Sequence, residues 1–212
     1  MDPVDETGRP ITPSKMEARQ SLKDLHDEAW GKDISPFLPP MSFLTEEERM
    51  QVCERARATP PGCFVEVGIY KGGSAYHLID VAKIQDREIF LYDTFEGMKQ
   101  YNPGKGDTIP MGQINADEAP VREALGEYPH VIKCQFPNTA EMPSKPVAFA
   151  HIDCDQYQAI IDSCRVLELM MADGGEMLFD DVPVLEGARH AVKELYPDRI
   201  EVVGYGRWVV RF

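Results

Sequence analysis

Four aspartates in this chain follow closely on two short apolar runs. The runs cover residues 147–152 and 176–179, and the sequence predicts each of them as a buried strand. The carboxyl ends of parallel strands point into the ligand crevice of an open α/β sheet, so the acids would meet at one edge if the two strands are neighbours. The acids are Asp153, Asp155, Asp180 and Asp181.

Four carboxylates at one edge would repel one another unless a positive charge lies between them. A divalent cation that prefers oxygen ligands, such as Mg²⁺, would satisfy such a cluster. An alternative is that some of these aspartates cap the helices that follow, which is common at β-to-α turns. A metal site is the interpretation that explains the whole cluster.

A second feature lies nearer the amino terminus, where a strand at 63–68 leads through a glycine-rich turn at 69–74 into a helix at 75–84. A second strand at 88–92 then ends in Asp93. This order is typical of a fold that binds a dinucleotide or adenosine cofactor, and the acid follows the first strand by close to the ~20 residues expected of a ribose ligand. The turn matches neither the GxGxxG pattern of nicotinamide enzymes nor a P-loop.

The remaining chain predicts more alternation of helices and strands. Helices are expected at 16–30, 45–58, 117–128, 157–171 and 186–195, and strands at 130–135, 147–153 and 176–181. Residues 200–203 and 208–212 flank Gly204-Tyr205-Gly206 and predict a closing antiparallel hairpin. Residues 173–175 would form the turn before the fifth strand. The fold class is therefore α/β, with a mostly parallel seven-stranded sheet and helices on both faces.

Two segments are expected to lie outside this regular pattern. Residues 1 to about 14 hold three prolines and a glycine among polar residues, which predicts an arm. Residues 97–116 hold four glycines and two prolines, and a connection of this length is typical of a lid. We divide the chain into an amino-terminal section, 1–59, on the acceptor side or at an oligomer contact, and a catalytic domain, 60–212.

Composition excludes several classes of partner. The 212 residues carry a formal net charge of −14, which argues against nucleic acid or an anionic membrane surface as the main partner. No apolar run approaches the ~20 residues of a membrane span, and the first residues lack the apolar region of a signal peptide. Five cysteines without a CxxC pair suit reduced thiols, so we expect a cytoplasmic protein.

Several motifs in this order resemble the macrocin O-methyltransferase family of class I S-adenosylmethionine-dependent methyltransferases. The motifs are FVEVGIYKGGS at 64–74, LYDTFEGM at 91–98, IDCDQY at 152–157 and DGG at 173–175 followed by Asp180-Asp181. The resemblance covers roughly residues 60–197. It implies a Rossmann-like fold, S-adenosylmethionine and Mg²⁺ as cofactors, and methylation of a sugar or related hydroxyl in natural-product biosynthesis.

The resemblance also assigns residues to roles. The implied metal ligands are Asp153, Asp180 and Asp181, and the implied general base is Asp155, although the neighbouring position, where some members have a histidine, is Gln156 here. Asp93 would bind the ribose, Ser74 the methionine carboxylate at a helix start, and Asn138 would follow the strand beside the adenine. The full set implied to bind the cofactor is Glu66, Gly68, Tyr70, Gly72, Ser74, Asp93, Thr94, Asn138 and Asp153.

Other functions remain possible on the sequence alone. The nearest variant is a catechol or phenol O-methyltransferase, because such an acceptor also benefits from chelation by a metal. Another is a non-catalytic module that keeps the cofactor fold, and a third is a nicotinamide oxidoreductase. We expect a small-molecule hydroxyl acceptor, and a homo-oligomer such as a dimer is possible. The section before the first core strand is short for the family, so the acceptor could be unusual.

Overall fold

The computed structural model describes residues 13–32, 37–139 and 141–212. Most of the amino-terminal arm predicted at 1–14 lies outside the described residues. The helices are α1 (Pro13–Trp30), α2 (Glu46–Ala58), α3 (Gly73–Ile84), α4 (Glu118–Leu125), α5 (Tyr157–Leu167) and α6 (Glu186–Leu195). The strands are β1 (Cys63–Val67), β2 (Ile89–Asp93), β3 (His130–Lys133), β4 (Val147–Ile152), β5 (Met171–Phe179), β6 (Glu201–Val202) and β7 (Trp208–Arg211).

The strands form one seven-stranded sheet in the order β3-β2-β1-β4-β5-β7-β6. The first five strands in the chain pair in parallel, and β7 pairs antiparallel with both β5 and β6. The predicted mixed sheet with a closing antiparallel hairpin is confirmed. Because β1 lies between β2 and β4, and β5 lies beside β4, the glycine turn after β1 and the acids that follow β2, β4 and β5 share one edge of the sheet.

The sheet is covered on both faces because successive side chains of a strand point to opposite sides. In β1, Val65 and Val67 belong to the core that packs against α5 and α6. Phe64 of the same strand belongs to the opposite core, which includes α1, α2 and α3. Every residue of β1 and β4 is buried, as expected for central parallel strands.

Helices α1 and α2 pack against α3 on one face of the sheet. Leu22 of α1 and Val52 of α2 are buried in the same core as α3. Helix α2 begins with a capping box, since Thr45 Oγ1 accepts a hydrogen bond from the Glu48 N–H and Glu48 Oε2 accepts one from the Thr45 N–H. In the segment before it, 41–44, Leu44 is buried and its N–H donates to Ser42 Oγ at 3.1 Å.

Three predicted boundaries were wrong. Helix α4 ends at Leu125, before Tyr128, because Gly126 follows with a φ of +71°. Helix α5 ends at Leu167 and β5 begins at Met171, so the predicted turn at 173–175 lies inside the strand. The Gly174 N–H donates to the Phe212 carbonyl at 2.7 Å, which extends this end of the sheet beyond what local sequence indicates.

None of the helices in the described ranges is long and apolar enough to cross a bilayer.

Candidate active site

A cavity of about 380 Å³ opens at the carboxyl ends of β1, β2, β4 and β5. Its walls come from segment 41–44, the turn after β1, the connection after β2 and the residues that follow β3. The structure thus brings most of the predicted site residues to one place. Those that line the cavity are Gly68, Tyr70, Ser74, Asp93, Thr94, Asp153, Asp155, Asp180 and Asp181.

The turn after β1 approaches the end of β4 very closely. Gly68 has a φ of +91°, and a Cβ at this position would lie 1.8 Å from the backbone oxygen of Asp153. Glycine satisfies both the left-handed conformation and the close approach. Gly72, with a φ of +86°, directly precedes α3. Both glycines therefore shape the backbone, and of the two Gly68 lines the cavity.

A buried polar chain runs from this turn to the end of β5. Glu66 Oε1 accepts a hydrogen bond from Ser74 Oγ at 2.6 Å and lies 2.9 Å from Nδ1 of His151. The second ring nitrogen of His151, Nε2, lies 3.9 Å from Asp180 Oδ1. Glu66 and His151 are fully buried. His151 thus links the turn after β1, through Glu66, to the acidic cluster at the end of β5.

The charge of His151 follows from its neighbours. Burial lowers the pKa of this imidazole, but the contact with Glu66 and the attraction of the Asp180 and Glu66 carboxylates outweigh burial and raise it to about 9. These carboxylates therefore favour the protonated ring. A cation in this place offsets part of the negative charge at the end of β5.

Asp93 organises two loops at the end of β2. Its Oδ2 accepts a hydrogen bond from the Tyr70 N–H at 2.8 Å, and its Oδ1 accepts one from the Phe95 N–H at 2.7 Å. Burial raises the pKa of this carboxyl, while the backbone N–H groups act in the opposite direction. Thr94 Oγ1 instead donates to the Gly97 carbonyl at 2.9 Å, so its hydroxyl is used within the turn.

The acidic cluster predicted from the two strands is present. Asp153, Asp180 and Asp181 each offer one oxygen, and these three oxygens lie within 4.8 Å of one another. Burial raises the pKa of Asp153 and of Asp181 well above the usual range, and the neighbouring carboxylates raise both further. A cation between them would stabilise the ionised form of both carboxyl groups and so lower their pKa values.

Asp155 lies beside this cluster in a strained conformation. Its φ is +58°, and its N–H donates to Asp181 Oδ2 at 3.0 Å. Burial raises the pKa of Asp155 to about 6; a hydrogen bond with Asp181 opposes the rise and the charge of Asp180 adds to it. Non-glycine residues with positive φ are uncommon and cluster at functional sites. The backbone of Asp155 is therefore consistent with a functional role.

Asp180 differs from its neighbours because a buried arginine contacts it. Arg207, only 2% exposed, donates from Nε to Asp180 Oδ1. Its Nη1 donates to Gln51 Oε1 at 3.0 Å and to the Glu48 carbonyl at 3.3 Å. Although burial acts to raise the pKa of Asp180, hydrogen bonds and attraction from His151 and Arg207 lower it. Arg207 was not predicted as a site residue, since no motif surrounds it.

Gln156 holds the connection that was predicted as a lid. Its Oε1 accepts a hydrogen bond from the Gln100 N–H at 3.1 Å, and its Nε2 donates to the Ile109 carbonyl at 3.1 Å. Asp107 is also buried, and its Oδ1 accepts from the Tyr157 N–H at the start of α5 at 2.8 Å. These contacts fix three points of the connection against the start of α5.

We expect Gln156→Ala to loosen this connection. Two hydrogen bonds at about 1 kcal/mol each are lost, so local opening should become roughly 30-fold more frequent. Amide hydrogen exchange measured peptide by peptide would show faster exchange in 97–116. Gln158→Ala is the matched control, because Gln158 lies two residues further along and bonds Asp162 on its own helix. Equal exchange in both variants would contradict the assigned contact.

Besides Gly72, two predicted residues lie away from the cavity lining. Asn138 is exposed on the turn after β3, where its N–H donates to the Gln135 carbonyl. The residues of this turn that line the cavity are Cys134, Gln135 and Phe136. Glu66 lies beneath the cofactor turn, where it contacts Ser74. The role predicted for Asn138 therefore has no support from its position.

The fold and the site define a class of protein. The class is that of Rossmann-like methyltransferases. Its features here are the mostly parallel seven-stranded sheet with this strand order, the glycine turn after β1 and the acid at the end of β2. The family model described as Macrocin-O-methyltransferase (TylF) matches residues 44–200. The chain belongs to this family, and it is an S-adenosylmethionine-dependent O-methyltransferase.

Solved structures show the same fold at low sequence identity. The O-methyltransferase NovP matches with a TM-score of 0.68 at 16% identity, and the alignment covers 93% of this chain and 98% of NovP. CalS11, a calicheamicin methyltransferase, has a TM-score of 0.66 at 16% identity and covers 100% of this chain and 99% of its own. The methyltransferase PaMTH1 of Podospora anserina, bound to S-adenosylhomocysteine, has a TM-score of 0.54 at 14% identity, with coverage of 95% and 88%.

A search among curated protein sequences found no match to this chain.

Proposed function

We propose that this enzyme methylates a hydroxyl of a sugar or another secondary metabolite, with Mg²⁺ held by Asp153, Asp180 and Asp181. The observation that carries the proposal is the approach of three carboxylate oxygens to within 4.8 Å of one another. Side-chain rotations that bring these oxygens closer together would allow all three residues to hold one small cation. Oxygen donors alone form this set, which suits Mg²⁺.

The residues around the cofactor turn fit S-adenosylmethionine. Asp93 places a carboxylate at the cavity edge, where ribose hydroxyls can donate to it. Ser74 lies in the first turn of α3, whose N–H groups favour a carboxylate. Glu66 Oε2 is buried and makes no hydrogen bond within the described part of the chain, so an acceptor for an amino group is present beneath the turn.

The chain's own residues would prepare the acceptor. Asp155 would accept the hydroxyl proton as the acceptor oxygen attacks, since burial raises its pKa and makes its carboxylate a stronger base than that of an ordinary aspartate. His151 and Arg207 hold Asp180 in place. Bound Mg²⁺ would stabilise negative charge on the acceptor oxygen, and S-adenosylmethionine would supply the methyl group.

The relatives support the choice of acceptor class. The family takes its name from macrocin, and one solved neighbour, CalS11, is described both as a calicheamicin methyltransferase and as a TDP-rhamnose 3'-O-methyltransferase. The carboxylate cluster would serve a sugar hydroxyl, whose pKa lies far above 7 and which therefore needs help to lose its proton. A catechol or phenol acceptor is the closest alternative.

Calorimetric titration tests the metal and the cofactor separately. S-adenosylhomocysteine is titrated into the enzyme twice, once in the presence of Mg²⁺ and once in the presence of excess chelator. In a second experiment, Mg²⁺ is titrated into wild type, Asp181→Asn and Asp173→Asn. Asp173 is an exposed acid at the opposite end of β5, so it controls for charge. We expect Asp181→Asn to weaken Mg²⁺ binding at least 30-fold and Asp173→Asn to leave it unchanged. Cofactor binding without any Mg²⁺ binding in wild type would refute the metal assignment.

A further inference from the structure

We infer that Gln100 and Ser163 determine which nucleobase the enzyme accepts in its cofactor, because together they bind the amino edge of adenine. The inference concerns the cofactor alone, so it depends neither on the metal nor on the class of acceptor. It gives these two residues the contact with adenine that was predicted for Asn138. The evidence is a pair of buried polar atoms that have no hydrogen-bond partner among the described residues.

Both residues line the cavity, and each has one polar atom that no described residue contacts by a hydrogen bond. These atoms are Gln100 Oε1 and Ser163 Oγ, and both are buried. Ser163 as a whole is fully buried within α5. Buried polar groups in native proteins nearly always have a hydrogen-bond partner, and an unpaired one is destabilising. A ligand that offers a partner to each atom would therefore gain affinity from both.

The side-chain amide of Gln100 has a defined orientation. Its Nε2 donates to Asp162 Oδ2 at 3.2 Å, and the Gln100 backbone N–H donates to Gln156 Oε1 at 3.1 Å. If the amide were reversed, its oxygen would face the Asp162 carboxylate, and two acceptors repel one another. Gln100 Oε1 is therefore the atom that remains for a ligand. Because Asp162 directly precedes Ser163, this acceptor lies at the same turn of α5 as the Ser163 hydroxyl.

The two atoms lie on the side of the cavity that a base attached to the ribose would reach. Strand β3 pairs with β2, and the Cys134 N–H donates to the Asp93 carbonyl at 2.9 Å. The turn after β3 therefore adjoins the residue assigned to the ribose. Phe136 of this turn packs in the same core as Ile160 of α5. A base on a ribose at Asp93 would thus lie between the turn after β3 and α5.

The chemistry of the two atoms matches one edge of adenine. That edge presents an amino group, which donates, beside a ring nitrogen, which accepts. Gln100 Oε1 can accept from the amino group, and the Ser163 hydroxyl can donate to the ring nitrogen. Hypoxanthine has a carbonyl oxygen in place of the amino group, so two acceptors would face each other at Gln100. A site that hydrogen-bonds a ligand group strongly rejects an analogue without it, because buried protein atoms then stay unpaired.

Calorimetric titration with two ligands that differ only in the base tests the inference. The ligands are S-adenosylhomocysteine and S-inosylhomocysteine, in which hypoxanthine replaces adenine, and both are titrated in excess chelator. We expect wild type to bind S-adenosylhomocysteine at least about 30-fold more tightly, since two hydrogen bonds distinguish the ligands. Gln100→Met and Ser163→Ala each remove one of these bonds, so each should reduce the ratio of affinities by at least about 5-fold.

Gln158→Ala is the matched control, because Gln158 also bonds Asp162 but lies outside the cavity lining. A substitution that only loosens the cavity wall weakens both ligands alike and leaves their ratio unchanged, so the ratio isolates recognition of the base. Equal affinity of wild type for the two ligands would overturn the inference, and so would unchanged ratios in Gln100→Met and Ser163→Ala. The absence of Mg²⁺ from these titrations keeps the result separate from a failure of the proposed metal site.

Discussion

Arg207→Met is expected to lower the free energy of unfolding by roughly 3–5 kcal/mol, because it removes one partner of a buried ion pair. The arginine is 2% exposed, and its guanidinium contacts Asp180, Gln51 and Glu48. The substitution leaves Asp180 beside Asp153 and Asp181 with only His151 as a positive neighbour. For a chain of this length the melting temperature should fall by roughly 10 °C.

The control for this prediction is Arg211→Met. Arg211 ends β7, its side chain is 58% exposed and its ion pair with Glu201 lies at the surface, while its second partner, the buried Glu176, is also held by Arg55. Surface pairs contribute about 1 kcal/mol or less, so urea unfolding should separate the two variants clearly. Arg207→Lys keeps the charge but not the fork of donors, and it should fall between them. Similar losses in Arg207→Met and Arg211→Met would contradict the assignment.

Addition of Mg²⁺ should distinguish a role at the acidic site from a purely structural one. If the cation binds the three aspartates as proposed, it can offset the charge that Arg207 no longer balances. Mg²⁺ should then raise the melting temperature of Arg207→Met more than that of wild type. An identical shift in both proteins would show that Arg207 supports the fold without influencing the cluster.

The sequence predicted the architecture well because its signals were local. Apolar runs followed by acids located the ends of β4 and β5. The glycine-rich turn at 69–74 located the end of β1 and the start of α3. Parallel pairing of neighbouring strands then places Asp93, Asp153 and Asp180 at one edge. Helix ends were less certain, since the end of α4 depends on the backbone angle of Gly126 and the start of β5 depends on pairing with the carboxyl terminus.

The contacts that sequence reasoning missed join residues far apart in the chain. Arg207 reaches Gln51 across 156 positions, and His151 reaches Glu66 across 85. No sequence pattern around Arg207 indicates that it contacts Asp180 and Gln51. Gln156 could have been noticed, because an amide beside a predicted base has both a donor and an acceptor. Its partners, Gln100 and Ile109, lie in a connection whose path only the structure gives.

Asp93→Ala is expected to weaken binding of S-adenosylhomocysteine roughly 100-fold, which corresponds to about 2.7 kcal/mol. Hydrogen bonds to a charged group contribute about 1.5–3 kcal/mol each, and a ribose offers two hydroxyls. The substitution also leaves the N–H groups of Tyr70 and Phe95 without the acceptor they now have. Both effects act in the same direction, because Tyr70 lines the cavity beside the cofactor turn.

The variant Thr94→Val tests whether the loss of affinity in Asp93→Ala is specific to the carboxylate of Asp93. Thr94 lines the same cavity, but its hydroxyl donates to the Gly97 carbonyl and accepts from the Glu96 N–H. We therefore expect its substitution to change affinity less than 3-fold, while Asp198→Asn, an exposed site, controls for loss of charge. Calorimetry at fixed salt gives the three affinities, and melting temperatures show that each variant is folded. An affinity of Asp93→Ala within 5-fold of wild type would mean that Asp93 only braces the two loops, and the ribose would then need another acceptor at the end of β2.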